Sequence, residues 1–141
     1  MARPLKWKSH DGATEEGGGR HQATKAHDEF GLYARLYDGF DPEADSVYVT
    51  LEVAVDEPEG FVPVIRGAPR EDDAFRLETD DFVEDDENDG VYVGYIGQNS
   101  FPTEFLRASI HELEGDFTVD TWVLVTGETG GARRYSQPDG P

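Results

Sequence analysis

The chain has 141 residues, 36% of them hydrophobic, which is enough for one core and one domain. It carries 31 Asp and Glu against 12 Lys and Arg, a formal charge of -19, and it has no cysteine. These totals exclude disulfides, thiolate nucleophiles and cysteine-ligated zinc, and they set the acidic part of the chain against nucleic acid.

The charge is unevenly placed. Residues 28–132 hold 27 acids and five Arg, while the two ends are mildly basic, and there is no lysine after Lys25. Self-repulsion of this size destabilises a compact chain unless salt screens it, and near molar salt the Debye length shrinks to about 3 Å. Acid excess with arginine in place of lysine resembles the composition of proteins from extreme halophiles, which speaks to habitat and not to activity. Met1–Lys8 contains Arg3, Lys6 and Lys8 but no apolar h-region. Cytoplasmic synthesis without a signal peptide or membrane segment is therefore expected.

In chain order, residues 1–28 read as an extended or flexible arm. Glycine clusters between Asp11 and Arg20, and only Leu5 and Trp7 could anchor it. The folded unit is expected over 29–126. Phe30, Leu32, Ala34 and Leu36 alternate with Gly31, Tyr33, Arg35 and Tyr37; Val47, Val49, Leu51, Val53 and Val55 alternate with Tyr48, Thr50, Glu52 and Ala54. Both patterns predict half-buried strands. Shorter strands are expected at 61–65, where Pro63 argues for an edge strand or a loop, at 75–77 and at 91–96. Ser100-Phe101-Pro102 followed by Leu106, Ile110 and Leu113 at i, i+4, i+7, with Gly115 beyond, tips 102–113 towards a short helix, although the segment also alternates. Phe117, Val119, Thr121, Val123 and Val125 predict a last strand, and 127–141 reads as a flexible tail. The fold expected is mainly β, an antiparallel sandwich or barrel of about six to eight strands with at most one short helix.

Chemistry is sparsely signalled. Asp85, Glu87, Asp89 and Gly90 fit positions one, three, five and six of a calcium loop, but Ile96 stands where the bidentate Glu belongs. A calcium site shared with Asp38, Asp41 or Asp45 is the alternative to a solvated acidic loop. His10, His21 and His27 fall in the arm at no tight ligand spacing, and His111 sits beside Glu112. No serine has a nucleophile setting, and no phosphate loop is present. Tyr33, Tyr37, Tyr48, Tyr92 and Tyr95 suggest either a stacking platform or cross-strand stiffening.

The arms carry interface residue types: Leu5, Lys6, Trp7 and Lys8 at one end, Arg133, Arg134 and Tyr135 at the other. The expectation is a non-enzymatic structural or interaction protein with no cofactor. Its arms would lock it to other protein subunits of an assembly, homo-oligomers included. By analogy of architecture it resembles capsid decoration, neck or tail components that enter virions.

Overall fold

The structure is a computed structural model that describes residues 5–24, 27–54, 57–65, 68–69, 76–100 and 105–127. Two antiparallel sheets face each other in a sandwich-like arrangement. The strands are β1 (Leu5–Ala13), β2 (Gly17–Gly18), β3 (Gln22–Ala23), β4 (His27–Leu36), β5 (Ser46–Ala54), β6 (Val62–Ile65), β7 (Ala68–Pro69), β8 (Arg76–Glu78), β9 (Val83–Glu84), β10 (Tyr92–Ser100), β11 (Phe105–Glu114) and β12 (Val119–Gly127). Six of them run nine or ten residues, and the rest are short edge pieces. One sheet has the order β1-β12-β4-β10-β9. The other is built on β11 and β5, with β2 and β3 beside β11, β6 and β8 beside β5, and β7 outside β6.

The period-two strands meet face to face as their pattern dictates. Phe30, Leu32, Ala34 and Leu36 of β4 and Val119, Val123 and Val125 of β12 are buried against Val47, Val49, Leu51 and Val53 of β5. At one end Phe40 packs edge-on against Phe117 and Tyr92, with ring centres 4.9 and 5.1 Å apart. The turn before Phe40 needs Gly39, whose φ of 98° lies in the left-handed region; a Cβ there would strike the Asp116 carbonyl. Pro63 lies in β6, towards the edge of its sheet as expected.

Two expectations are corrected. The segment 102–113 is not a helix: from Phe105 it is β11, paired along its length with β5. Leu106, Ala108 and Ile110 point into the core, and a bulge between Ile110 and Glu112 then reverses the alternation, so that Leu113 also packs on the core. The bulge thus produces the i, i+4, i+7 spacing that a helix would also show.

Nor do residues 5–24 of the expected 1–28 arm stand apart from the sheets. Leu5–Ala13 is the edge strand β1, paired with β12, and Trp7 is buried in the core. The alternation Leu5, Trp7, Ser9 against Lys6, Lys8 marks the strand. The Trp7 indole N–H donates to the Arg20 carbonyl at 3.0 Å, and the Ser9 hydroxyl donates to the same oxygen at 2.9 Å. Ser9 Oγ also accepts from the Ala108 amide at 3.0 Å, and the Gly19 amide donates to the Ala108 carbonyl at 2.8 Å. These two bonds fill the gap between β2 and β3 along β11. The N-terminal segment therefore ties one sheet to the other.

Large-to-small substitution of a buried tryptophan costs about 3–5 kcal/mol. Trp7→Ala is expected to lose that much in denaturant unfolding at high KCl; a loss below about 1 kcal/mol would mean that the strand is dispensable.

Candidate functional site

The outer face of the five-stranded sheet carries a row of side chains set by register. Tyr95 of β10 lies opposite Tyr33 of β4, Tyr33 opposite Trp122 of β12, and Trp122 opposite Lys8 of β1. The Tyr33 ring stands 6.1 Å from Tyr95, tilted, and 5.7 Å from Trp122, edge to face. The Lys8 ammonium is 5.3 Å from the Trp122 ring and the Arg35 guanidinium 5.9 Å from it, both within cation–π reach. Trp122 is buried at 4% exposure although it lies on an outer face, because these neighbours cover it. Tyr95 leans over Gly31, where a Cβ would come within 3.1 Å of its hydroxyl. One residue pair further along, Val83 of β9 lies opposite Val93 of β10 on the same face. Among the described residues three large hydrophobic side chains are exposed, and two of them, Val83 at 63% and Tyr95 at 48%, sit here.

The outer face of the other sheet is organised around Glu52, a buried carboxylate. Arg107 donates to its Oε1 through Nη2 at 2.8 Å and Nε at 2.9 Å, and His111 Nε2 lies 3.4 Å from its Oε2. The Arg107 guanidinium covers the Phe61 ring at 4.2 Å, and its head fills the space where a Gly18 side chain would be. Burial alone pushes the Glu52 carboxyl up, but hydrogen bonds and charge from His111 and Arg107 outweigh it and hold the group below its ordinary value. Thr50 Oγ1 lies 2.7 Å from the same His111 Nε2. A hydrolytic relay needs the acid and the nucleophile on opposite ring nitrogens. Here both meet one nitrogen, and Thr50 is 1% exposed, so the arrangement is a clamp between β5 and β11. An open groove beside it is lined by Val47, Tyr48, Glu78, Thr79, Asp80 and Glu112.

His10, read from sequence as part of an arm, is buried. Its Nε2 faces the Gly17 carbonyl at 3.0 Å, so that nitrogen carries the proton and Nδ1 accepts from the Thr121 hydroxyl at 2.8 Å. Burial holds its pKa below 6.5; the Arg107 charge adds to this, while the Gly17 carbonyl and Asp120 oppose it. Asp120 binds the Gly12 amide at 2.6 Å and Lys8 at 3.3 Å.

The residues singled out from sequence are distributed as follows. Trp7 belongs to the core, with Leu5 packed against that core, and Lys6 and Lys8 lie on the outer face. Arg133, Arg134 and Tyr135 lie outside the described residues. Asp85, Glu87 and Asp89 do not converge. Asp85 instead accepts from the Glu87 amide at 3.0 Å and from Asn88 at 3.1 Å, which holds its pKa down and shapes the turn. Among the described residues no group of three or more His, Asp or Glu is placed to hold a metal ion. Nor do the five tyrosines form one platform: Tyr33 and Tyr95 share the ladder with Trp122, Tyr92 meets Phe40 in the core, and Tyr48 stands beside His111. Sequence reasoning missed Trp122. Its signal was its place in β12 between Thr121 and Val123, on the face away from the valines.

A histidine whose folded pKa is depressed binds fewer protons than the unfolded chain does, so stability falls as pH drops below 6.5. A carboxylate with a depressed folded pKa loses its contribution only as pH falls below its ordinary 4.5. Unfolding measured against pH should show both steps. His10→Gln is expected to flatten the first and Glu52→Gln the second, and an unchanged profile in both variants would contradict these assignments.

No family model matches the chain, and no curated protein matches it. Among the described residues no helix is long and apolar enough to cross a membrane. Among solved structures the chain is similar to the SPBc2 prophage-derived protein YomS, at 17% identity over 88% of this chain and 96% of that one, with a TM-score of 0.45.

Proposed function

We propose that the protein is a non-enzymatic structural subunit that binds other protein subunits through the outer face of its five-stranded sheet. The finer reading is a component of a particle assembled in high salt, a capsid decoration, neck or tail protein of a virus of a halophilic host. The observation that carries the interaction reading is the placement of Val83 and Tyr95. These two exposed apolar side chains share one open sheet face and lie on the β10–β9 side of the Tyr33–Trp122 pair. Interfaces are enriched in Tyr and Arg, and this face presents Tyr33, Tyr95 and Arg35 over the covered Trp122 in a chain of charge -19. The acidic remainder keeps copies apart elsewhere. A protein partner fits better than a nucleic acid, since the rings meet edge to face and Trp122 is covered. The high-salt setting rests on composition, through screening of the acid excess.

The test is capture of partners from native lysate at high KCl by tagged wild-type protein and by a Val83→Asp, Tyr95→Asp variant with unchanged circular dichroism. The reading predicts a defined set of proteins on the wild type that the variant loses. Recovery of the same set by both, or of nothing by the wild type, would contradict it.

A further inference from the structure

β10 is paired with β4 from Tyr92 to Ser100, but β9 covers its other side only at Tyr92 and Val93. Among the described residues no strand pairs with Gly94–Ser100 on the side away from β4. A bare strand edge recruits other chains, and proteins guard such edges with charge. β1, the opposite edge of the same sheet, carries Lys6, Lys8 and Asp11. β10 has no such guard. It alone among the strands of nine or ten residues lacks a charged side chain, and Gly90–Thr103 is the longest uncharged run of the chain. Its sequence is that of a strand paired on both sides. At Gly97, which is exposed, a Cβ would meet open space.

We infer that this edge is taken by the chain's own C-terminal segment, Arg133–Gln137, added as an antiparallel strand beside β10. The residues after Gly127 lie outside the described ones, and the register fixes where they start. Thr126 of β12, Glu29 of β4 and Ser100 of β10 lie in one row, and Gly127 is opposite His27 just beyond it. The chain therefore leaves β12 at the end of the sheet where the open edge of β10 also ends. The place outside β10 is three strand spacings from β12, about 14 Å. Six steps from Gly127 to Arg133 span about 20 Å, which covers that distance, and Gly130-Gly131 lets the link turn. β12 runs parallel to β10, since each is antiparallel to β4, so a chain returning from its end meets β10 antiparallel. With Arg133 beside Asn99, Tyr135 falls opposite Gly97 and can fill the space above it. Pro138, which has no N–H to give, falls opposite Gly94, just short of where β9 takes over at Val93. Arg133 and Arg134 also bring positive charge to a body in which residues 28–132 hold 27 acids and five Arg. This is strand addition within one chain. It concerns the sheet edge and does not rest on the interaction reading of the sheet face.

The experiment is amide hydrogen exchange of the full chain at high KCl, resolved to single residues and repeated over a protein concentration series. The comparison is a full-length Arg134→Pro, Tyr135→Pro variant. It removes two neighbouring amides, one of which must point at β10 in any register of an added strand. In the wild type, amides of Gly94–Ser100 that point away from β4 are expected to be protected at every concentration. In the variant they should exchange at least about tenfold faster, with β4 and β12 unchanged as the control for folding. Fast exchange of this edge in the wild type would show it bare and overturn the inference. Equal protection in both proteins would assign the edge to another segment and overturn it as well. Protection that appears only as concentration rises would place a strand of another copy there instead of the chain's own.

Discussion

The burial of Trp7 is the constraint on which the rest depends. One indole from the N-terminal strand enters the core, its N–H held by the Arg20 carbonyl, and with it β1 closes the edge of the five-stranded sheet on β12. From that edge the chain crosses to β2 and β3 and lines β11 of the opposite sheet. Ser9 and Gly19 satisfy the stretch of β11 that lies between the two short strands. Without this segment two long edges, β12 and β11, would present unpaired amides and carbonyls on the same side of the sandwich, a template for aggregation.

The charged groups follow from the same crossing. Arg107 lies against Gly18 in the crossing segment and grips Glu52 on β5, so a buried carboxylate is compensated where three parts of the chain meet. Removing one partner of such a pair leaves a buried charge unpaired, which is why these contacts fix geometry more than they add stability. On the other face Lys8 is held by Asp120 and lies over Trp122. The ladder that forms the candidate interface is therefore complete only while β1 is docked.

Much of this was legible in the residues. The alternating runs of β4, β5 and β12 state their own period and buried face, and the two-sheet antiparallel class follows from them. What was not legible in the fold has one physical cause, the β-bulge. A bulge after Ile110 moved Leu113 to the buried face and gave a strand the spacing of a helix. Register shifts after Lys8 and after His10 ended the short alternation of β1 before it could be told from glycine-rich polar sequence. The site was harder still. Tyr95, Tyr33, Trp122 and Lys8 come from four strands, and only the pairing register brings them into one row. The acidic turn 85–89 was conspicuous in sequence, yet its leading carboxylate is engaged in holding the turn itself.

The outer face of the five-stranded sheet, with two exposed apolar side chains and a buried tryptophan beneath its cations, is the contact surface we propose. That account stands on β1 being part of the sheet. The most direct measurement is hydrogen–deuterium exchange at high KCl, followed residue by residue. It predicts that amides of Leu5–Ala13 paired with β12 exchange as slowly as those of β12 itself, in one cooperative unit. Exchange of that segment as fast as an unfolded chain, with β12 and β4 still protected, would contradict it.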